Sequence, residues 1–421
     1  MAIVNGRVVV VGAGLAGLFA ALTAAESGAE VTLASMRPSE RAQSVMAEGG
    51  INAALGDNDS ISNHYHDTMA AGRYLADPNA VKGLTEAAPG IVRRLLGLGA
   101  LFNMRRDGEP ELRCFGGQKI QRTAFAQSGT GKQIMSAVIQ EARKYEARGL
   151  IARYDRHSFA GLLCGGNGCT GCAVRDNYSG ETLYLRGSVI ITSGGMHGLF
   201  GGTTGSLDNS GAVTAALLQM GVPLANGEFV QYHPTTASVA GKRLLISEAA
   251  RGEGGRLFVP RNGKRWYFQV YLDMTGLPDE VFGTRLSDTL DDCLTYLRLD
   301  PRREPIPVAP GAHYFMGGIQ VDEQHRTILP GLYAAGECCC QYHGGNSLLG
   351  AIYGGITAAN HAIADEYFTD GGDFFPADTA QTPADKLSTQ AVTRDAECAA
   401  QYSILEKTGA CFHPFSTPPP M

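Results

Sequence analysis

The chain has 421 residues, of which 55 are glycine, nearly twice the average usage of about 7%. With 44% hydrophobic and 18% charged residues and no G-X-Y period, it is neither disordered nor fibrous. A formal charge of −6 without a long Lys/Arg run builds no positive footprint, so nucleic acid is excluded as a partner.

The length can bury a large core and predicts two or three domains. No stretch approaches the roughly 20 apolar residues of a membrane span. The opening Met1-Ala2-Ile3-Val4-Asn5-Gly6 lacks the basic region and cleavage site of a signal peptide, so the expectation is a soluble, cytoplasmic chain. Ten irregularly spaced cysteines do not form the framework of a small secreted domain and are read as thiols.

Residues 7–11, Arg-Val-Val-Val-Val, form a short β-branched run, the mark of a strand buried on both faces of a parallel sheet. Gly12-Ala13-Gly14-Leu15-Ala16-Gly17 follows at once and opens an Ala/Leu-rich helix through about Ser27, with Gly28 where the helix stops. Gly12 makes the turn, Gly14 lets backbone approach a pyrophosphate, and Gly17 lets helix pack on strand. The helix N-terminus supplies free N–H groups to phosphates. A second strand at 30–35 completes a βαβ unit, which predicts a dinucleotide site. An acidic residue is expected at the ribose position, and Ser35 stands there instead.

Cys164-x4-Cys169-x2-Cys172 has the spacing of a plant-type [2Fe–2S] site, which needs a fourth, distant cysteine. The triplet straddles Gly165-Gly166-Asn167-Gly168 between apolar segments, which reads as a β-hairpin with an Asn-Gly turn. The hairpin is preferred and no metal is assigned, with a cluster as the alternative. A strand at 188–192 runs into the glycine turn Thr192-Ser193-Gly194-Gly195. Glu248 and Arg251, three apart, share one face if their segment is helical. Cys338-Cys339-Cys340 are too close for several to ligate one ion. Residues 370–421 are mostly loop-like, with one candidate helix at 390–405.

Seven segments occur in order: Ala47-Glu48-Gly49-Gly50-Ile51-Asn52-Ala53-Ala54, His66-Asp67-Thr68, Phe115-Gly116-Gly117-Gln118, Phe229-Val230-Gln231-Tyr232-His233-Pro234-Thr235, Glu248-Ala249-Ala250-Arg251-Gly252-Glu253-Gly254-Gly255, Glu304-Pro305-Ile306-Pro307-Val308 with Ala312-His313-Tyr314-Phe315-Met316-Gly317-Gly318, and Gly331-Leu332-Tyr333-Ala334-Ala335-Gly336-Glu337. On these the chain resembles, from about residue 8 to 363, the flavoprotein subunit of the succinate dehydrogenase and fumarate reductase family, whose relatives include L-aspartate oxidase and soluble fumarate reductases. The resemblance implies FAD rather than NAD. It implies an α/β fold: a Rossmann-type FAD-binding domain (1–226 plus 319–368), an inserted α+β capping domain (227–318, shortened near 268) and a remnant C-terminal segment (369–421).

The cofactor residues it implies begin with Gly12, Ala13, Gly14, Leu15, Ala16 and Gly17. Ser35 and Met36 lie by the adenosine ribose, and Gln43, Ser44, Ala47, Glu48, Gly49 and Gly50 wrap the flavin. Ser158, Phe159, Thr192, Ser193, Gly194, Ser210, Ser347 and Leu348 complete the set, with Glu337 at the ribityl chain. Covalent attachment in the respiratory enzymes uses a histidine eight residues after the ribose serine, where this sequence has Gln43. A glutamine amide cannot serve, so the FAD is expected to be non-covalent, with a lower potential that favours substrate reduction.

The implied chemistry is hydride transfer between flavin N5 and one carbon of an activated C=C bond, with a proton delivered to the other. His233, Ser247 and His313 match positions that bind substrate carboxylates, serine replacing the usual threonine while keeping the hydroxyl. Glu248 and Arg251 match a proton relay leading to an arginine that acts as the acid. An isolated Glu-Arg pair is usually a weak surface ion pair; the flanking Gly252-Glu253-Gly254-Gly255 favours the relay.

Two departures stand out. The acid arginine lies in a Pro-Arg-Asp segment of the family's cap, and here the sequence passes from Phe268 to Gln269 without it. A second arginine, expected after His343-Gly344, is also missing, either through a deleted loop or because Ser347 replaces it. Three readings stay open: segments absent at those points, a different enoate as substrate, or a flavoprotein without turnover. The abrupt 268/269 junction favours the first for the cap.

The preferred function is an FAD-dependent oxidoreductase subunit that reduces a small carboxylate such as fumarate. It would be fed by an iron–sulfur protein subunit, within a complex anchored at the inner face of the membrane. An L-aspartate oxidase-like enzyme and a non-catalytic electron-transfer subunit are the alternatives.

Overall fold

The valine run at 8–11 lies at the centre of the largest sheet, with each side chain no more than 6% exposed. The computed structural model describes residues 2–114, 120–166, 168–260, 269–341, 346–365 and 373–376. The chain opens with β1 (Ala2–Val11), α1 (Leu15–Glu26) and β2 (Val31–Ser35). Next come β3 (Ile51–Asn52), α2 (Ile61–Ala71), α3 (Pro78–Gly97), β4 (Leu112–Arg113), β5 (Thr123–Ala124) and α4 (Thr130–Ala147). β6 (Ile151–Asp155), β7 (His157–Gly165), β8 (Gly168–Asp176), β9 (Thr182–Ile191), α5 (Ala212–Gln219) and β10 (Leu224–Ala225) follow. A middle part holds β11 (Val230–Val239), β12 (Lys242–Leu245), α6 (Glu248–Gly252), β13 (Arg256–Phe258), β14 (Val270–Asp273), α7 (Asp279–Thr284), α8 (Ser287–Asp292) and β15 (Ile306–Phe315). β16 (Gly318–Gln320), β17 (Leu332–Ala334), β18 (Cys339–Cys340), α9 (Ser347–Ala364) and β19 (Asp373–Pro376) complete the described chain.

The main sheet runs β19-β7-β8-β9-β1-β2-β6, with β17 pairing the far end of β9. β1 is parallel to both β2 and β9, β2 to β6, and β17 to β9. Val8 and Val10 point into one apolar cluster, shared with α1, α4 and α9, while Val9 and Val11 point into the other. A strand's two-residue period produces this division, and burial of each valine on both sides stabilises the sheet by roughly 1.5–3 kcal/mol. β1 begins earlier than the valine run suggests. Its first residues pair with β9 from Leu183, and the register breaks between Asn5 and Val8, where Gly6 and Arg7 interrupt the apolar pattern.

Gly17 is dictated by packing, since a Cβ there would lie 1.9 Å from the Gly12 carbonyl oxygen. Gly12 itself has φ +116° and meets the backbone of Thr192, so only glycine fits.

A second sheet, β12-β11-β15-β14-β13, is antiparallel and has its own apolar cluster around Ala237, Leu272, Phe282, Ile306 and Val308. The chain enters this part after β10 and leaves it at β16. Those two strands pair antiparallel, Leu224 opposite Ile319, so departure and return lie side by side.

The cysteine triplet falls on the β7–β8 hairpin, Cys164 opposite Cys169 and Gly165 opposite Gly168; Asn167 lies outside the described residues. All three thiols are buried in the apolar layer, and burial pushes Cys172 up to about 12. Among the described residues no group of three or more His, Cys, Asp or Glu is placed to hold a metal ion. β19 departs from the loop-like reading of the tail: it adds to the edge of β7, whose outer backbone groups offer a ready ladder. The candidate helix at 390–405 lies outside the described residues. No described helix is long and apolar enough to cross a membrane.

Candidate active site

A cavity of about 700 Å³ opens where the carboxyl ends of β1, β2 and β9 meet the second sheet. In open α/β sheets this is where ligands bind. The turn at 12–16 forms one wall, the segment 41–50 another, and Thr192, Ser193, Gly194, Gly336 and Glu337 a third. Every cofactor residue expected from the sequence lines this cavity except Gly17, which stands behind the wall against Gly12.

Side chains knit these walls together. The Ser44 hydroxyl accepts the Leu15 N–H at 3.2 Å, at the N-terminus of α1. Gln43 Oε1 accepts from the Ser206 N–H at 2.7 Å, tying the 41–50 segment to the loop before α5. The Ser35 hydroxyl lies 2.8 Å from Arg37 O and 3.1 Å from Asp155 Oδ1. Asp155, one strand over on β6, thus sets a carboxylate against Ser35 without itself lining the cavity. Asp67 pairs with the buried Arg122 at 2.8 Å, and the Thr68 hydroxyl accepts from Asn346, so the 66–68 motif braces the fold behind the cavity.

Four of the five expected catalytic residues line the same cavity: His233 from β11, Ser247 and Glu248 at the start of α6, and His313 from β15. Ser247 is the helix cap, its oxygen accepting the Ala249 N–H at 3.4 Å, which leaves its own proton to donate. Arg251 sits one turn behind, 3.4 Å from Glu248, and does not reach the cavity wall. Its Nε is buried without a hydrogen-bond partner. Burial, then His313 and Arg251, push the His233 imidazole down to about 4, and burial also lowers His313. Both rings are therefore read as neutral near pH 7.

Glu48, expected from the sequence, shares the cavity surroundings with residues that no motif marked. His197 is fully buried between Thr203 and Glu337. Glu48 is pushed up to about 8, first by burial and then by Asp292 and Asp288, with Arg113 opposing. A second groove of about 1340 Å³ adjoins the first, sharing Gln43, Leu245 and His313 with it, and is lined by Arg41, Arg156, Lys242 and Arg243. These residues carry no motif; the fold gathers them from distant segments.

A family model described as FAD binding domain matches residues 7–269 and 268–352. The succinate dehydrogenase flavoprotein subunit of Bacillus subtilis (strain 168) is 37% identical over 402 residues, covering 85% of this chain and 69% of that protein. The chain belongs to the succinate dehydrogenase/fumarate reductase flavoprotein family. The L-aspartate oxidase of Streptomyces coelicolor is 32% identical, covering 85% of this chain and 68% of its own length. Among solved structures, a glutamate-to-glutamine variant of Escherichia coli quinol fumarate reductase FrdA superposes with a TM-score of 0.81 at 29% identity, over 96% of this chain and 74% of that one.

Members of this family are FAD-dependent oxidoreductases, and FAD is the cofactor of this chain. The residues present fit it: a glycine turn at a helix N-terminus for the pyrophosphate, hydroxyls at Ser35 and Ser44, and a long cavity joining both ends. The family match falls into two parts that meet at 268–269, the junction singled out in the sequence. Residues 115–119, 261–268 and 342–345 lie outside the described residues, and with them the Phe115-Gly116-Gly117-Gln118 motif, the 268/269 junction and His343-Gly344.

Proposed function

We propose that this chain reduces the C=C bond of a small enoate carrying carboxylate groups, fumarate or a close analogue, with FAD held non-covalently. The reading rests on one observation: His233 and His313 from two strands of the second sheet, and Ser247 and Glu248 from the start of α6, wall the same cavity as the 12–16 turn. We further propose that 1–226 with 319–368 forms the FAD domain, 227–318 its cap and 369–421 a remnant tail.

FAD, when bound, supplies hydride transfer to or from one carbon of the double bond. The chain's part is to hold the carboxylates, orient the double bond and move a proton. The Thr204 hydroxyl lies 2.7 Å from His313 Nδ1 and can donate to it, which leaves Nε2–H of a neutral ring free to donate to a carboxylate. The Ser247 hydroxyl is a second donor. Glu248 delivers the proton to the carbon that does not receive hydride, and Arg251, 3.4 Å behind, holds its carboxyl in place. The groove cations Lys242 and Arg243 supply the positive charge that the missing arginines supply elsewhere in the family.

Gln43 supports the non-covalent assignment, because an amide cannot attack the flavin. The likeness to a quinol fumarate reductase supports an electron-delivering partner, which we propose is an iron–sulfur subunit in a membrane-anchored complex. Electrons from a membrane quinol need such a route to a chain in which no described helix spans the bilayer.

One observation favours a second reading, an electron-transfer subunit without turnover: the arginines that line the cavity itself are Arg37 and Arg41, among the described residues, and both lie within the 36–43 segment. Anaerobic oxidation of reduced viologen separates the two. Fumarate-dependent turnover supports the first reading, and inertness of the FAD-loaded chain toward fumarate the second. Acid precipitation tests the cofactor linkage, with flavin expected in the supernatant.

A further inference from the structure

We propose that His197 is a positioning residue that fixes the Glu337 carboxylate so that one of its oxygens is presented to FAD. The inference rests on the FAD assignment and concerns a residue that belongs to no motif of this sequence. His197 follows the glycine turn at 194–195 and is 0% exposed. Its Nε2 lies 3.1 Å from Glu337 Oε1, and its Nδ1 lies 2.9 Å from Thr203 Oγ1. The ring meets Phe315 edge-on, with centroids 4.9 Å apart. It also fills the space beside Gly205, where any Cβ would come within 2.2 Å of Nδ1.

The Thr203 hydroxyl has one proton and two acceptors to choose from, Ala312 O at 3.0 Å and His197 Nδ1. If it donates to His197, the ring is neutral and its Nε2–H donates to Glu337. If it donates to Ala312, an imidazolium donates from both nitrogens. With Glu337 ionised, either arrangement aims an N–H of His197 at Oε1. The Phe315 N–H donates to the same oxygen at 3.1 Å. Oε1 is thus held by two protein donors, whereas Oε2 accepts from none among the described residues. Glu337 lines the cavity, so Oε2 is the oxygen left for a hydroxyl of the cofactor.

The 203–204 pair connects this arrangement to the other end of the cavity. Thr203 and Thr204 both bond to the Ala312 carbonyl, and Thr204 reaches His313 at 2.7 Å. His197 therefore anchors Glu337 to the segment that also steadies a carboxylate-binding histidine.

The test is FAD affinity of the purified chain, read from flavin fluorescence released on dilution of the FAD-loaded protein. His197→Phe keeps an aromatic ring and loses the donor, and is expected to raise the FAD Kd about ten- to hundredfold, as for loss of a charge-assisted hydrogen bond. His197→Gln keeps a donor and is expected to restore affinity to within about threefold of wild type. In a Glu337→Gln background His197→Phe should add no more than about twofold, because the positioned carboxylate is already gone. Unchanged affinity in His197→Phe, or an equal loss in both backgrounds, would overturn the proposal. Should the phenylalanine variant fail to fold, His197→Asn, too short to reach Glu337, takes its place with the same outcomes. A wild-type chain that holds FAD but ignores fumarate would leave this inference standing and remove only the enoate reading.

Discussion

His233 and His313 stand with ring centroids 5.4 Å apart on adjacent antiparallel strands, yet their hydrogen bonds leave opposite nitrogen chemistry on offer. His233 Nδ1 lies 3.2 Å from the Thr235 carbonyl, which can only accept, while the Thr235 hydroxyl donates to Ile246 O at 3.0 Å. A neutral His233 therefore carries its proton on Nδ1 and a lone pair on Nε2. His313 keeps its proton on Nε2 when the Thr204 hydroxyl donates to its Nδ1 rather than to the Ala312 carbonyl.

A carboxylate that approaches His233 must bring a proton or wait for one. With this imidazole pushed down to about 4, the free protein holds it neutral above that pH. Anion binding at Nε2 then takes up a proton, and affinity falls as pH rises above about 4, by at most about tenfold per unit until the bound-state pKa is reached. Titrating fumarate against the flavin spectrum from pH 5 to 8 should show this slope in wild type and a flatter one in His233→Gln. Equal slopes would contradict the assignment.

Glu48 carries the opposite sign. Its folded value of about 8 against 4.5 in the unfolded chain means that the native state keeps a proton the unfolded state has released. Stability attributable to this carboxyl falls as pH rises through that window and levels off above about 8. Glu48→Gln should therefore melt higher than wild type, with a gap that widens from pH 6 to 8 to the order of a few kcal/mol and then stays constant. FAD, itself anionic, should bind wild type more weakly above pH 8 and the Gln variant evenly.

Gly14 and Gly17 separate binding from stability. A Cβ on Gly17 collides with the Gly12 carbonyl, so Gly17→Ala is expected to destabilise the fold by about 1–3 kcal/mol. A Cβ on Gly14 meets nothing closer than Ser44 Oγ at 3.5 Å, so Gly14→Ala should fold normally. It lines the cavity, however, and the new methyl should weaken FAD binding. Thermal melts of the FAD-free variants, alongside FAD titrations, distinguish the two.

The βαβ unit, the hairpin at 157–176 and the cavity-lining part of the seven motifs were legible because each rests on local signals: a β-branched run, a glycine turn, a fixed spacing. Asp155, His197 and Arg243 were not. Asp155 reaches Ser35 only because β6 pairs with β2, and His197 meets Glu337 across 140 residues of chain. Spacing shows nothing of contacts that tertiary pairing alone creates. Arg251 was legible as a partner of Glu248, but its place behind the cavity wall depends on how α6 packs.

Arg243 lines the adjoining groove beside His313, with Lys242 next to it on β12. A positive approach raises the local concentration of an anionic substrate. Arg243→Gln is expected to raise KM for fumarate by about three- to tenfold with kcat little changed, and the difference should shrink at high salt. A kcat effect without a KM effect would place Arg243 elsewhere in the reaction.

The most direct measurement mixes the chemically reduced FAD-loaded chain with fumarate, without oxygen, and follows the flavin absorbance. Rapid reoxidation in wild type, severely slowed in Glu248→Gln and weakened in affinity in His313→Ala, is the predicted result. A reduced flavin that stays reduced at saturating fumarate would contradict enoate reduction as the function of this chain.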